Sequence, residues 1–330
     1  MKMHPYTAIL LAGAVGDTLG MPVECWKPVD IKEYLGRVIA PLPPQKILPK
    51  DTPAWFTHLE KGDITDDTLL TVAIAESIIE KNGLDLTDCM NRQVDAYFAN
   101  PIIDGKSIYG FGGSTVKAFE NWKQGNTMLA VPPGLGNGVA MKVAALGIYA
   151  HATRKYVEAL QFAGDIGTLT HTDPRAIAAG VVQSHAVYAL LSGYDKQQFL
   201  DSLVEVCMEY EYPLKDNHLQ TERGSLLDKI EWISANQNVD EQIAYRALGN
   251  SCNAFESVPF TWFMVQKYWD APLEGLIVTV NWGGDADSTG AMYASLAAAR
   301  HGIFFPNEWI DMLKIKDKIL DVSQKLSELH

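Results

Sequence analysis

Apolar residues recur at helical spacing along most of the chain, and the breaks between these runs carry helix-ending chemistry. Leu70, Ile74 and Ile78 fall at every fourth position, and Asn82-Gly83 supplies an ending. Asp173 followed by Pro174 reads as an N-cap and first helical residue, opening a helix through Ala176, Ile177, Val181 and Leu190 that stops at Gly193. A small-residue helix is expected from Thr289 to Ala299. Ala8 to Val15 has the apolar character of a signal-peptide core, but it runs into Gly16-Asp17-Thr18 without a cleavage site and reads better as a buried N-terminal helix. Leu276-Ile277-Val278-Thr279-Val280 is β-branched enough for a strand. With no partner strand of similar quality, it is expected to be a buried helix whose packing overrides propensity. Pro41 to Pro53 and the glycine-rich stretch Asn100 to Ser114 read as loops, and neither as an interdomain linker. The pattern predicts an all-α chain forming one domain, 1–330, with no internal repeat.

Composition narrows the function classes. With 330 residues and 47% hydrophobic content the chain can bury a large core. Twenty-seven Lys and Arg against 40 Asp and Glu leave a formal charge of -13, which argues against a nucleic-acid groove as the main function. Beyond the N-terminal segment no stretch approaches the roughly 20 uninterrupted apolar residues of a membrane span, so a soluble protein is expected. Cys25, Cys89, Cys207 and Cys252 form no CxxC pair and suggest no zinc or disulfide framework, which points to a reducing compartment, the cytoplasm.

Candidate chemistry concentrates in two acidic clusters far apart in the chain, each where a helix begins: Thr65-Asp66-Asp67-Thr68 and Gly283-Gly284-Asp285-Ala286-Asp287-Ser288. Each offers two carboxylates and hydroxyls, the hard oxygen ligands that Mg²⁺, Mn²⁺ or Ca²⁺ prefer. Either cluster alone is equally well an acidic N-cap favoured by the helix dipole. If the two converge, four carboxylates need a large positive charge, which two divalent ions would provide. The adjacent glycines of the second cluster would let its backbone approach closely.

Six segments in series resemble the ADP-ribosylglycohydrolase family: Gly16 to Glu24, Thr65 to Thr68, Tyr109 to Ser114, Gly136-Asn137-Gly138 with Met141, Thr170-His171-Thr172-Asp173-Pro174, and Gly283 to Ser288. The resemblance implies an all-α orthogonal bundle with two divalent cations, Mg²⁺ or Mn²⁺, at the bottom of an ADP-ribose cleft. It implies Thr65, Asp66, Asp67, Asp285, Asp287 and Ser288 as metal ligands, with Asp66 and Asp287 central to catalysis. Glu24 would lie on a mobile segment over the cleft and position or deprotonate the attacking water. Gly110, Gly112, Gly113 and Ser114 in one loop, and Gly134, Gly136, Asn137 and Gly138 in another, would hold the diphosphate and adjoining ribose, with His171 near the ribose. The chain departs from the family pattern at Ser288 (often Thr), Ala286 (often Thr), Lys142 (often Arg) and Ala145 (often Pro); none removes an implied metal ligand.

The activity so implied is hydrolysis at the anomeric carbon of ADP-ribose carried by a modified target, most traditionally a protein arginine, through a water activated by the metal pair. Alternatives keep the site and change the leaving group, to O-acetyl-ADP-ribose, ADP-ribosylserine or an ADP-ribosylated nucleic-acid end, or reduce the protein to a silent ADP-ribose binder. The intact acidic set argues against the silent member. Gly134 to Gly138 follows Pro132-Pro133 instead of a strand, so it is no Rossmann turn, and Asp104-Gly105-Lys106-Ser107 lacks the earlier glycine of a phosphate loop. Of eight histidines only His171 earns a role; His185 is expected in the core, and His4, His58, His151, His218, His301 and His330 lack partner spacing. Trp122, Trp262, Trp269 and Tyr210 are candidates to stack adenine, with core packing the competing role. Oligomeric state is left open.

Overall fold

The computed structural model describes residues 3–329 except 51, 54, 104–105, 127 and 216–223. His218, His330 and the Asp104-Gly105 pair therefore lie outside the described residues. Among those described, the chain forms sixteen α-helices and one antiparallel hairpin, Ile102–Ile103 with Lys106–Ser107. The hairpin falls in the stretch expected as plain loop, where two consecutive isoleucines suit a strand. Elsewhere the all-α expectation holds. Asn82 ends the helix Asp66–Lys81 in a left-handed conformation, and Asp173 caps the helix Pro174–Leu191 by accepting from the Arg175 amide at 2.9 Å.

One large apolar cluster runs from Tyr6 to Leu329 through most helices. The N-terminal helix Pro5–Gly20 is buried from Tyr6 onward. By length and hydropathy Pro5–Val23 would cross a membrane, yet 94% of its apolar window is buried inside the fold. The stretch Leu276 to Val280 lies in the helix Pro272–Asn281, opened by Pro272 and burying Gly275, Leu276, Thr279 and Val280 as one face. His185 is buried, with Tyr156 Oη at 2.9 Å from Nδ1 and Ser202 Oγ at 2.8 Å from Nε2.

The packing that positions the site is between Pro5–Gly20 and Ala286–His301, which lie antiparallel with almost no side chain between them. A Cβ added to Gly16 would stand 2.1 Å from Gly290 O, and one added to Gly20 would stand 2.0 Å from Ala286 O. These glycines let the two backbones touch. The end of the first helix is thereby locked beside the start of the second.

Candidate active site

Asp66 and Asp67 occupy the first turn of the helix Asp66–Lys81, with Thr65 at the cap position. Thr65 does not cap; its hydroxyl donates to Asp67 Oδ2 at 3.2 Å. The amides at this helix start go instead to Asp17, in the buried N-terminal helix. Asp17 accepts from Thr65 N at 3.0 Å, from Thr68 N at 3.3 Å and from the Thr68 hydroxyl. A carboxylate from a distant segment has taken over capping, which leaves Asp66 and Asp67 available for something else.

The second cluster is released in another way. Asp285 stands at the cap position of Ala286–His301, again without a side-chain cap bond, and its carboxylate accepts from Asn137 Nδ2. Gly283 and Gly284 hold left-handed φ of +61° and +62°. A Cβ on Gly284 would lie 1.9 Å from Asn250 O, and one on Gly283 would lie 2.1 Å from Trp26 O. The resulting elbow is bonded on both sides: Asp285 N donates to Asn250 O at 3.0 Å, Asn250 Nδ2 to Gly283 O at 2.6 Å, Cys25 N to Gly284 O at 2.6 Å and Gly284 N to Trp26 O at 2.9 Å.

Those last two bonds fix Glu24. The 3-10 turn Met21–Val23 carries the chain out of the N-terminal helix, and Cys25 turns it at a left-handed φ of 62°. The segment that the resemblance makes a mobile cover is, in this structure, pinned to the glycine elbow. Carboxylate oxygens of Glu24, Asp285 and Asp287 consequently all lie within 4.8 Å of one another. Ser288 Oγ donates to Asp67 Oδ2 at 3.3 Å and so joins the two clusters. Apart from Glu24, the acidic residues are buried.

Burial, then repulsion from Asp17 and Asp285, holds the Asp66 carboxyl well above the ordinary carboxylate range. Burial with repulsion from its acidic neighbours does the same to Asp67 and Asp287, and burial raises Asp285. Asp67 Oδ1 and Asp287 Oδ1 are buried without a hydrogen-bond partner. Oxygens in this state are the donor set of a hard divalent cation, and the residues fit one. Capping, the competing account of both clusters, is carried by Asp17 at the first and leaves no bond at the second.

Above this floor opens a cleft of about 560 Å³, inside the roughly 300–1,000 Å³ range of small-molecule sites. It is lined by Glu24, Asp66, Asp67, Gly110, Gly112, Gly113, Ser114, Gly136, Asn137, Gly138, His171, Asp285, Asp287 and Ser288. Of the metal and substrate residues implied by the resemblance, Thr65 and Gly134 do not line it. Thr65 is fully buried beneath Asp67, and Gly134 turns its loop, at φ +46°, against Thr172. Gly112 caps the helix Gly113–Lys123, so that helix presents its amide end at the cleft wall. Leu135 to Gly138 also lines the cleft and is bonded to the 252–254 segment, through Asn137 N to Cys252 O and Ala254 N to Leu135 O, both 2.9 Å. Thr170 Oγ1 lies 2.8 Å from His171 Nδ1, and burial pushes His171 down to about 3, so the imidazole is neutral near pH 7. Arg175 braces this wall, with its guanidinium paired to Asp173 at 2.8 Å and 4.0 Å above the Phe255 ring.

Sequence reasoning passed over several residues. Asp17 was signalled by being a carboxylate inside an otherwise apolar helix, where only strong partners make burial tolerable. Asn250, Cys252 and Asn253 gave no signal. None of the four proposed stacking aromatics lines the cleft: Trp262 is fully buried with Nε1 donating to Gln183 Oε1 at 2.8 Å, Trp269 is buried, and Trp122 donates to Asn91. The aromatic ring that does line it is Phe111, braced by Tyr97 and Phe119. Lys142, whose guanidinium counterpart would suggest a role at the substrate, is fully buried and outside the cleft.

Comparison with known proteins agrees with this geometry. Residues 4–330 match the family model described as ADP-ribosylglycohydrolase. The chain is 27% identical to "ADP-ribosylhydrolase ARH3" of Xenopus tropicalis, over 75% of this chain and 78% of that protein. It is 26% identical to "ADP-ribosyl-[dinitrogen reductase] glycohydrolase" of Rhodospirillum rubrum, over 92% and 88%. Its fold superposes on a solved "ADP-ribosylglycohydrolase-related protein complex" with a TM-score of 0.65 at 23% identity, covering 98% of this chain and 97% of the other. An all-α bundle, a cleft floored by converging acidic helix starts and a family match along nearly its whole length make this chain a member of the ADP-ribosylglycohydrolase family, enzymes that hydrolyse ADP-ribosyl linkages.

Proposed function

We propose that the cleft releases ADP-ribose from a modified protein side chain, most traditionally arginine, with two divalent cations, Mg²⁺ or Mn²⁺, held by Thr65, Asp66, Asp67, Asp285, Asp287 and Ser288. The observation that carries this reading is the convergence of the Glu24, Asp285 and Asp287 carboxylates within 4.8 Å, beside buried oxygens of Asp67 and Asp287 that have no hydrogen-bond partner. A protein target is supported by the Rhodospirillum rubrum relative, whose name specifies one. The same reading treats the chain as one domain working in the cytoplasm, where its four free cysteines stay reduced.

When bound, the cations supply positive charge that fixes the ribose hydroxyls and acidifies a water. The protein does the rest. The amide end of Gly113–Lys123, with Gly112, Gly113 and Ser114, receives the diphosphate, and Phe111 offers an apolar ring at the same wall. Neutral His171, facing the Gly136 to Gly138 loop, hydrogen-bonds the ribose. Glu24, held against Asp287 by the glycine elbow, takes the proton from the attacking water as the bond from the anomeric carbon to the arginine nitrogen breaks through an oxocarbenium-like state, and the guanidine leaves and is protonated by solvent.

The test is release of free ADP-ribose from arginine-, serine- and acetyl-linked substrates with Mg²⁺, with Mn²⁺ and after chelation. Release from the arginine linkage that vanishes on chelation is expected. Release unchanged by chelation would remove the metal from the reading, and release from another linkage alone would replace the substrate.

A further inference from the structure

The helix Gly113–Lys123 begins bare. A Cβ added to Gly112 or Gly113 would meet nothing within 4 Å, so no side chain covers the amides at this helix start where it lines the cleft. Lys117 stands one turn further on, four positions after Gly113 and three after Ser114, and so shares their face of the helix. A helical side chain leans back over the turn that precedes it, which carries the lysine stem toward those bare amides. Lys117 lines the same cleft and is the one cation among its described lining residues; the other charged side chains there are Glu24, Asp66, Asp67, Asp285 and Asp287. Its Nζ lies 3.5 Å from Glu120 Oε2, in an ion pair whose side chains are 52% and 41% exposed. A pair so open to water contributes about 0–1 kcal/mol, so the ammonium can leave it for another anion at little cost.

We propose that Lys117 is a diphosphate-binding residue of the cleft, exchanging Glu120 for the ligand and adding its charge to the bare helix end. The inference rests on the reading that the cleft takes ADP-ribose. Backbone amides give the diphosphate its place, and Lys117 supplies the mobile positive charge that a cleft otherwise lined by carboxylates lacks.

The test is ADP-ribose binding by calorimetry, at fixed Mn²⁺ and at low and high salt, for wild type, Lys117→Met, Lys117→Arg and the double variant Lys117→Met with Glu120→Gln. Lys117→Met is expected to bind about fivefold more weakly at low salt, and the deficit should shrink at high salt as the wild-type contact is screened. Lys117→Arg keeps the charge and should keep the affinity. The double variant should stay as weak as Lys117→Met. Unchanged affinity in Lys117→Met overturns the proposal. A return to wild-type affinity in the double variant does so too, because Lys117 would then only mask the charge of Glu120. Loss in Lys117→Arg equal to that in Lys117→Met would make side-chain shape, not charge, the cause and would also overturn it. Wild type that binds no ADP-ribose overturns the reading of the cleft itself, so the two failures are distinguishable.

Discussion

At the first acidic helix start, the carboxylates are freed by a side chain: Asp17 takes the Thr65 and Thr68 amides, and Asp66 and Asp67 are left over. At the second they are freed by backbone: Gly283 and Gly284 bend the chain so that Asn250 and the Cys25-Trp26 segment bond to the elbow, and Asp285 and Asp287 project from it. Two unrelated devices reach the same end, acidic residues at a helix terminus that are not spent on capping it. The difference lies in tolerance. A trans-cap depends on one carboxylate and can be weakened by degrees, whereas a double left-handed elbow fits against neighbouring carbonyls and accepts no side chain.

The sharpest break in this comparison is Asp287→Ala. It removes a carboxylate from the group that includes Glu24 and Asp285, and loss of Mn²⁺ binding and of turnover together is expected. Full metal-dependent activity in that variant would mean the second start is not a metal wall. Next in size, Glu24→Gln should lower kcat by about 10²–10⁴ while ADP-ribose affinity is kept, as expected for a lost general base; calorimetry with ADP-ribose separates this from a structural loss. Gly284→Ala puts a methyl against Asn250 O in a backbone conformation that alanine resists, and a loss of about 3 kcal/mol in denaturant unfolding is expected. Asp17→Asn is the mildest. One amide group would face N–H donors, at a cost of about 1 kcal/mol, and Mn²⁺ affinity should fall while the folded state persists. If Asp17→Asn proved as damaging as Gly284→Ala, the claimed contrast between the two devices would not stand.

Much of the fold and the site is legible in the sequence. Helical periodicity finds the Asp66 and Pro174 helices, and two acidic clusters at helix starts announce a joint site. The Leu276 to Val280 stretch shows why absence of a partner strand outweighs β-branched propensity: its buried positions share one helical face. What stays hidden is pairing across the chain. Nothing local in Asn250 or Cys252 indicates that their carbonyls receive Asp285 N and Asn137 N. Phe111 escapes notice because large aromatics draw attention by size, while the cleft selects by position on a glycine loop. Lys142 stands where the family often has Arg, which directs attention to the substrate; its full burial shows that the side chain faces the protein interior instead.

The contact of Pro5–Gly20 with Ala286–His301 also sets when the site can exist. Its two halves meet only through partners such as Ser288 and Asp67, which are 221 positions apart, and through glycines near opposite ends of the chain. Closing so large a loop precedes any reward from the contacts it makes. A nascent chain still short of Ala286 therefore has its N-terminal helix without the backbone it is shaped to touch, and its apolar surface stays open to chaperones until Ala286–His301 has been made. The two acidic helix starts can meet only after Ala286–His301 has been made, so a chain short of it carries just one of them.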